Sequence, residues 1–206
     1  MDVLITAGAT RNPVDAVRVL TANASGRTGV RVGGALARAA RRVHVLGSPE
    51  AALRAQAAGL SAEVYGDTRD LMRRMERHIR ANPTAAVVHS AAVGDYESAD
   101  GEAGKLPSGR AELILRLTPT PKIADHVRGW GCTGTYVTFK AAAPETTDED
   151  LLAIATRQRE RTGCDLVFAN VLGRLGAGVW LVGEEVTRFD EREEAIAALI
   201  ERIAAG

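Results

Sequence analysis

The sequence predicts an α/β fold: a three-layer, Rossmann-like, mostly parallel sheet with helices on both faces, running as a single domain over residues 1–206. Three observations predict it. Short β-branched apolar runs alternate with longer stretches whose apolar residues recur at helical spacing, the pattern of strands laid parallel by helical crossovers. The first strand is followed by a glycine-containing loop that runs into a helix start, a junction at which such sheets receive ligands. The length suits one core that closes without disulfides or metal.

Val3, Leu4 and Ile5 have the length and branching of a buried strand, and residues 27–41 carry small and apolar side chains at helical spacing. Further strand-like runs occupy 43–46, 62–65, 85–89, 136–139, 166–169 and 179–182. Helical stretches fill 49–58, 68–81, 121–128, 148–162 and 191–205, the last three with distinct polar and apolar faces. Ligands of such sheets bind outside the carboxyl ends of the strands, so residues just after Ile5, His89, Phe139 and Ala169 are expected to share one crevice.

Between the first strand and its helix lies a polar excursion, residues 7–26. Ser25 stands where an N-cap is expected, and Gly26 and Gly29 let the backbone approach a ligand, so unpaired amides and the positive helix pole face the crevice. Arg11, Arg18 and Arg27 lie on or beside the excursion, which suits a ligand carrying several phosphates. Glycine loops after a first strand also occur in domains that bind no phosphate, and the loop alone leaves both readings open. The spacing does exclude a P-loop, and Gly26, Gly29, Gly33 and Gly34 do not make a plain dinucleotide fingerprint.

The 26 basic and 26 acidic residues cancel, which argues against a nucleic-acid binder working through its overall field; an anion must be met locally. Cys132 and Cys164 lack metal or redox spacing, and the chain opens directly into a strand, so a cytoplasmic protein is expected. No apolar stretch approaches the ~20 residues that cross a bilayer, so no membrane partner is expected. No residue set is assigned to a resident metal. Only Lys105, Lys122 and Lys140 are lysines among the 26 basic residues, which draws attention to Lys105 and Lys140 as places where a compact ammonium is required.

The other three strand ends are informative together. After His89 the chain reads Ser90-Ala91-Ala92-Val93-Gly94-Asp95-Tyr96: small residues admit a flat ring, and Asp95 is suited to accept from ribose hydroxyls or to serve as a turn cap. The polar, Gly- and Pro-containing stretch that follows, a flap over about 95–112, carries Lys105, placed to close over phosphates and neutralise developing charge. Tyr136 and Lys140 have the spacing of a short-chain dehydrogenase pair, but β-branched and aromatic neighbours specify a strand. Phe139 and Lys140 at its end read as a base-stacking wall and a nearby cation. Asn170 ends the next strand in an amide that both donates and accepts.

Taken in order, these segments resemble the phosphopantothenoylcysteine synthetase (phosphopantothenate–cysteine ligase) family over nearly the whole chain. The resemblance is carried by Thr6, Gly8, Thr10, Arg11, Pro13 and Asp15, then Arg18 and the Ser25-Gly26-Arg27-Thr28-Gly29 helix start. It continues through Ala91 to Tyr96, the flap lysine Lys105, Phe139-Lys140 with Glu145-Thr146, and Ala169-Asn170-Val171-Leu172. It implies a stand-alone ligase of coenzyme A biosynthesis in which ATP or CTP, with Mg²⁺, activates the carboxylate of 4'-phosphopantothenate as an acyl-nucleotide, from which the amine of cysteine displaces the nucleotide. With the residue reading above, nucleotide binding is expected of Gly8, Ser25, Gly26, Gly29, Ala92, Asp95, Phe139, Lys140 and Asn170, and catalysis of Lys105 and Arg18, with Asn23 standing next to the family's asparagine position. By resemblance the protein is a homodimer.

Two departures stand out. Four residues after Arg18 the family has an asparagine that contacts the intermediate; here that position is Ala22 and Asn23 lies one residue later. Residues 141–144 also lengthen the approach to Glu145, leaving the base open between ATP and CTP. A paralogue that ligates another acid and amine, and a nucleotide-binding homologue without catalysis, are the alternatives; an NAD(P)-dependent reductase is disfavoured by the missing fingerprint.

Overall fold

The computed structural model describes residues 2–39, 41–99, 104–107, 109, 111–174 and 178–205. The chain forms, in order, β1 (Val3–Ala7), β2 (Arg11–Pro13), β3 (Val19–Thr21), α1 (Arg27–Arg38), β4 (Val43–Gly47), α2 (Pro49–Ala57), β5 (Ser61–Val64), α3 (Thr68–Ala81) and β6 (Ala86–His89). There follow β7 (Tyr96–Ser98), β8 (Leu117–Pro119), β9 (Tyr136–Ala142), α4 (Asp148–Thr162), β10 (Leu166–Val171), β11 (Val179–Val182), β12 (Val186–Phe189) and α5 (Arg192–Ala205). Eight strands make one sheet in the order β12-β11-β10-β9-β6-β1-β4-β5, parallel from β10 to β5 and antiparallel at β11 and β12. This is the mostly parallel α/β architecture that the alternation of runs predicts.

Alternation along each strand feeds two cores. Val3, Ile5 and Ala7 pack with residues of α1, α2 and α5, whereas Leu4 packs on the opposite face with residues of α3 and α4. Leu4 and Ile5 are both fully buried, so each contributes about 1.5–3 kcal/mol by leaving water. Ser48 and Asp67 accept first-turn amides of α2 and α3, and Pro49 sits at the first helical position, which fixes both starts. Among the described residues no helix is long and apolar enough to cross a membrane.

The structure corrects several expected boundaries. Residues 121–128 do not form a helix: a single 3-10 turn, Ile123–Asp125, leads into turns that reach Trp130. The stretch between Pro121 and Gly129 is too short for an isolated helix, yet Ile123, Val127 and Trp130 are buried, so the apolar spacing records packing without helix length. The first helix stops at Arg38, capped at Ala39, instead of reaching residue 41. The excursion contains the β2–β3 hairpin, and β7 pairs with β8 across the flap; neither ribbon was expected, since exposed pairs of three-residue strands leave no apolar alternation. Strands β9 and β10 run past their expected ends, which places Lys140 and Asn170 inside them.

Candidate functional site

The sequence motif around Thr6 is first a piece of structural joinery. At the carboxyl end of β1, Thr6 Oγ1 lies 2.8 Å from His89 Nδ1 and accepts the Ala91 N–H at 3.1 Å, while Ser90 Oγ donates to the Thr6 carbonyl at 2.7 Å. Beyond it the two loops run side by side: the Ala92 N–H donates to Gly8 O (2.8 Å) and the Thr10 N–H to Ala92 O (3.1 Å). Thr10 Oγ1 accepts from the Gly94 N–H at 2.8 Å, and buried Asn12 donates to Tyr96 O at 2.8 Å while accepting the Thr68 N–H at 2.9 Å. Loop backbone that would be costly to bury unpaired is thereby satisfied, and the small residues hold the loops at this distance.

The helix start lies against this frame. Gly26, not Ser25, is the N-cap: its φ of 73° is left-handed and no side chain caps the helix. Ser25 is exposed instead. A Cβ on Gly26 would fall 2.6 Å from Ala51 Cβ and 2.7 Å from Gly8 N, so glycine is demanded by both conformation and space. Gly29 is buried, and a Cβ there would meet Ser90 Oγ at 2.5 Å, so it serves the close approach of α1 to the strand ends. The amides of Arg27, Thr28 and Gly29 have no acceptor within the helix, and no acidic residue in the first turn offsets their positive pole.

In front of the loop opens a cavity of about 540 Å³, lined by Ala9, Arg11, the 21–25 segment, Ser48 and Glu50 at the start of α2, and Arg54 in its last turn. Ala22, Asn23 and Ser25 all face it, so Asn23 reaches the same cavity as the position at which the family pattern has its asparagine. Arg11 and Arg54 supply positive charge.

Behind the hairpin, Asp15 forms a clip. Its side chain is fully buried; Oδ1 accepts from the Val17 and Arg18 N–H groups at 2.8 and 2.6 Å, and Oδ2 from the Leu106 N–H at 2.9 Å and Arg18 Nη1 at 2.5 Å. The Leu106 N–H, then those of Val17 and Arg18 and the Arg18 charge, outweigh burial and hold the carboxyl at about 2. With Ala16 N–H donating to Gly104 O at 3.1 Å and Leu106 buried, the clip docks the segment carrying Lys105 onto the hairpin and leaves Lys105 itself exposed. Arg18 is thus engaged by Asp15 and, at 3.5 Å, by Leu106 O. Flap residues 100–103, 108 and 110 lie outside the described residues.

On the far side of β6, Phe139 stacks on Phe168 with centroids 4.9 Å apart. Arg192, at the start of α5, lies 4.9 Å over Phe168, donates to Asn170 Oδ1 at 3.0 Å and to Thr28 Oγ1 at 3.2 Å. Burial, then Arg31, lowers the Arg192 pKa, yet no carboxylate is paired with it among the described residues. Sequence reading missed this arginine; its signal is a basic residue opening a helix whose first turn otherwise carries Glu193 and Glu194.

The structure therefore brings Gly8, Ala92, Gly26 and Gly29 together at the ends of β1 and β6, sets Asn23 and Ser25 on the cavity, and joins Asn170 to the start of α1 through Arg192. It does not bring Lys140 to Phe139: neighbours along β9 face opposite sides of the sheet, and Lys140 pairs in register with Ala169, a residue of the α3–α4 core. Asp95 is exposed and bound to Lys122 Nζ at 2.5 Å.

Known proteins resemble this chain over most of its length. The chain is 32% identical over 204 residues to the coenzyme A biosynthesis bifunctional protein CoaBC of Thermococcus kodakarensis, covering 94% of this chain and 48% of that protein. Against the Escherichia coli protein of the same name the identity is 25% over 217 residues, covering 97% and 50%. The chain thus spans about half the length of these curated relatives. A DNA/pantothenate metabolism flavoprotein from Streptococcus pneumoniae has the same fold, with a TM-score of 0.86 at 24% identity over 100% of this chain and 99% of that one. So does a Cab2 mutant in complex with phosphopantothenate-cysteine, with a TM-score of 0.76 at 18% identity over 98% and 87%. The family model described as DFP, DNA/pantothenate metabolism flavoprotein C-terminal domain, matches residues 1–201, and the chain belongs to that family.

Proposed function

We propose that the protein is the ligase half of this chemistry: it joins 4'-phosphopantothenate to cysteine at the expense of ATP or CTP, in the cytoplasm, with Mg²⁺ entering on the triphosphate. The observation that carries the reading is the Asp15 clip, which docks the Lys105 segment onto the hairpin whose Arg11 and Thr21 line the cavity faced by Asn23 and the α2 start. In the first step a carboxylate oxygen attacks the α-phosphorus, and pyrophosphate leaves. In the second the cysteine amine attacks the acyl carbon, loses a proton and expels the nucleoside monophosphate. The unpaired amides of α1 receive phosphate oxygens, Phe139 and Ala92 flank the base, Asp95 and Asn170 orient the ligand, and Lys105 neutralises charge in both steps. Lys122 holds Asp95 through Oδ1, which leaves Oδ2 to engage a ribose.

A homodimer belongs to the same reading. Val17, Tyr96 and Ile114 expose 68, 51 and 77% of their surface on or beside the two small ribbons, apolar surface that a second copy would cover. A second reading rests on Ala22: a recruited paralogue with another acid and amine, or a binder without turnover. The deciding experiment mixes protein, Mg²⁺, ATP or CTP, 4'-phosphopantothenate and cysteine and follows pyrophosphate. Release that requires the pantothenate acid supports the ligase; release with a different acid makes it a paralogue, and saturable nucleotide binding without release makes it a binder.

A further inference from the structure

At the sheet edge, on neither wall of the crevice, three side chains that no step above uses converge. His44 is the second residue of β4, Glu63 lies on the edge strand β5, and His78 is in the last turn of α3. His78 Nε2 is 2.9 Å and His44 Nε2 3.7 Å from the same Glu63 Oε2, and the three donor atoms lie within 4.8 Å of one another. A tetrahedral ion with bonds of about 2.0–2.1 Å separates its ligands by roughly 3.3 Å, so modest adjustment brings them into range.

We propose that His44, Glu63 and His78 bind a divalent transition metal of the Zn²⁺ or Co²⁺ class, stapling β4, β5 and α3. His44 Nε2 is buried without a hydrogen-bond partner among the described residues, an uncommon state for such a group and one that a metal bond relieves. The ring is already oriented, because its Nδ1 lies 2.8 Å from Ser61 Oγ; a bond at the distal nitrogen is how ligating histidines are held. Two imidazoles and a carboxylate suit Zn²⁺ or Co²⁺ better than Mg²⁺ or Ca²⁺. A depression of about 260 Å³ lined by His44, Ser61, His78 and Asn82 leaves room for a water as fourth ligand. Arg77 occupies the cation's place: its Nη2 is 2.8 and 2.9 Å from the Glu63 oxygens and 3.4 Å from His78 Nε2. With 61% of its side chain exposed, it can swing into solvent, while Arg74 keeps hold of Oε1 and leaves Oε2 to the metal.

Titration of the purified full chain with Co²⁺, followed by visible absorption and by calorimetry, tests this. One saturable equivalent with the intense ligand-field bands of a tetrahedral site is expected. His78→Ala and Glu63→Gln should each weaken it at least tenfold, Arg77→Ala should tighten it severalfold by removing the competing cation, and His126→Ala, at the remaining exposed histidine, should leave it unchanged. Should His44→Ala not fold, the His78, Glu63 and Arg77 variants decide alone. No saturable equivalent, an equivalent that survives His78→Ala, one lost in His126→Ala, or a titration indifferent to Arg77→Ala would each overturn the proposal.

Discussion

The frame at the ends of β1 and β6 and the hairpin-flap unit behind it are held by different means. In the frame, Thr6, Gly8, Thr10 and Asn12 share the load through separate bonds to Ala91, Ala92, Gly94, Tyr96 and Thr68. Among the described residues, the segment carrying Lys105 meets the hairpin mainly through the Asp15 carboxylate, helped by the bonds of Ala16 to Gly104 and of Arg18 to Leu106 O. A distributed network ties local geometry to global stability, whereas a single clip is released without unfolding the domain. Damage to the frame should therefore register in stability, and damage to the clip or its cargo in turnover.

The sharpest separation is expected from Lys105→Ala. Lys105 is exposed and carries none of the frame, so the melting temperature should stay put while turnover falls about 100-fold or more, with nucleotide affinity little changed. Equal losses in binding and turnover would remove the proposed transition-state role.

The frame should respond to acid through His89. Burial pushes this imidazole down to about 4, so the folded state favours the neutral ring. The unfolded chain binds the proton more readily, with a pKa near 6.5, and the contribution is complete above about 6.5 and is lost as pH falls from there to about 4. The full effect is roughly 3 kcal/mol. Half-buried His44 is depressed too and adds slope of the same sign, so the readout is the difference between the parent and His89→Gln in denaturant titrations across that window. Parallel stability–pH curves would mean that His89 is not the sensor. Asp15 and Glu63, held at about 2, contribute in the opposite charge sense and lose their effect only below the ordinary carboxylate range.

Gly26→Ala should cost the frame about 2 kcal/mol, from a left-handed φ and a Cβ pressed on Ala51 and the Gly8 amide. A chemical melt showing less than about 0.5 kcal/mol would mean that α1 shifts freely against β1. Asp15→Asn attacks the clip. Each carboxylate oxygen accepts two donors, so whichever way the amide turns, its NH₂ faces N–H groups. Turnover should fall about tenfold, and proteolysis within residues 104–107 should quicken ahead of the rest of the chain. Uniform loss across the molecule would place Asp15 in the frame instead.

How far the sequence announces these arrangements follows from the same division. The sheet, its buried strands and most helices are legible because Val3 to Ile5 and their counterparts are set by burial, which leaves a periodic trace. The roles of Thr6, Thr10 and Asn12 are not, since a threonine that ties two loops looks like any loop threonine until its partner is known. Lys140 shows the cost of misjudging one strand end: extending β9 leaves Phe139 and Lys140 inside the strand, on opposite faces of the sheet. Arg192 and the His44–Glu63–His78 cluster combine residues too far apart in the chain for any local spacing to join.

The smallest effect bears on the position where the family pattern is broken. Ala22 and Asn23 both line the cavity, so the one-residue displacement changes the direction of the amide without removing it from the site. If Asn23 has taken over the contact to the acyl-nucleotide, Asn23→Ala should lower turnover severalfold while leaving the first-step release of pyrophosphate in a single-turnover burst. Ala22→Asn should then add little in the parent and restore the loss in the Asn23→Ala background. The opposite pattern, a silent Asn23→Ala and a marked gain in Ala22→Asn, would show that the contact is missing from this chain. The cavity and clip would then be intact parts of an enzyme whose second step is slow for want of one amide, and the search for its acceptor would begin from amines other than cysteine.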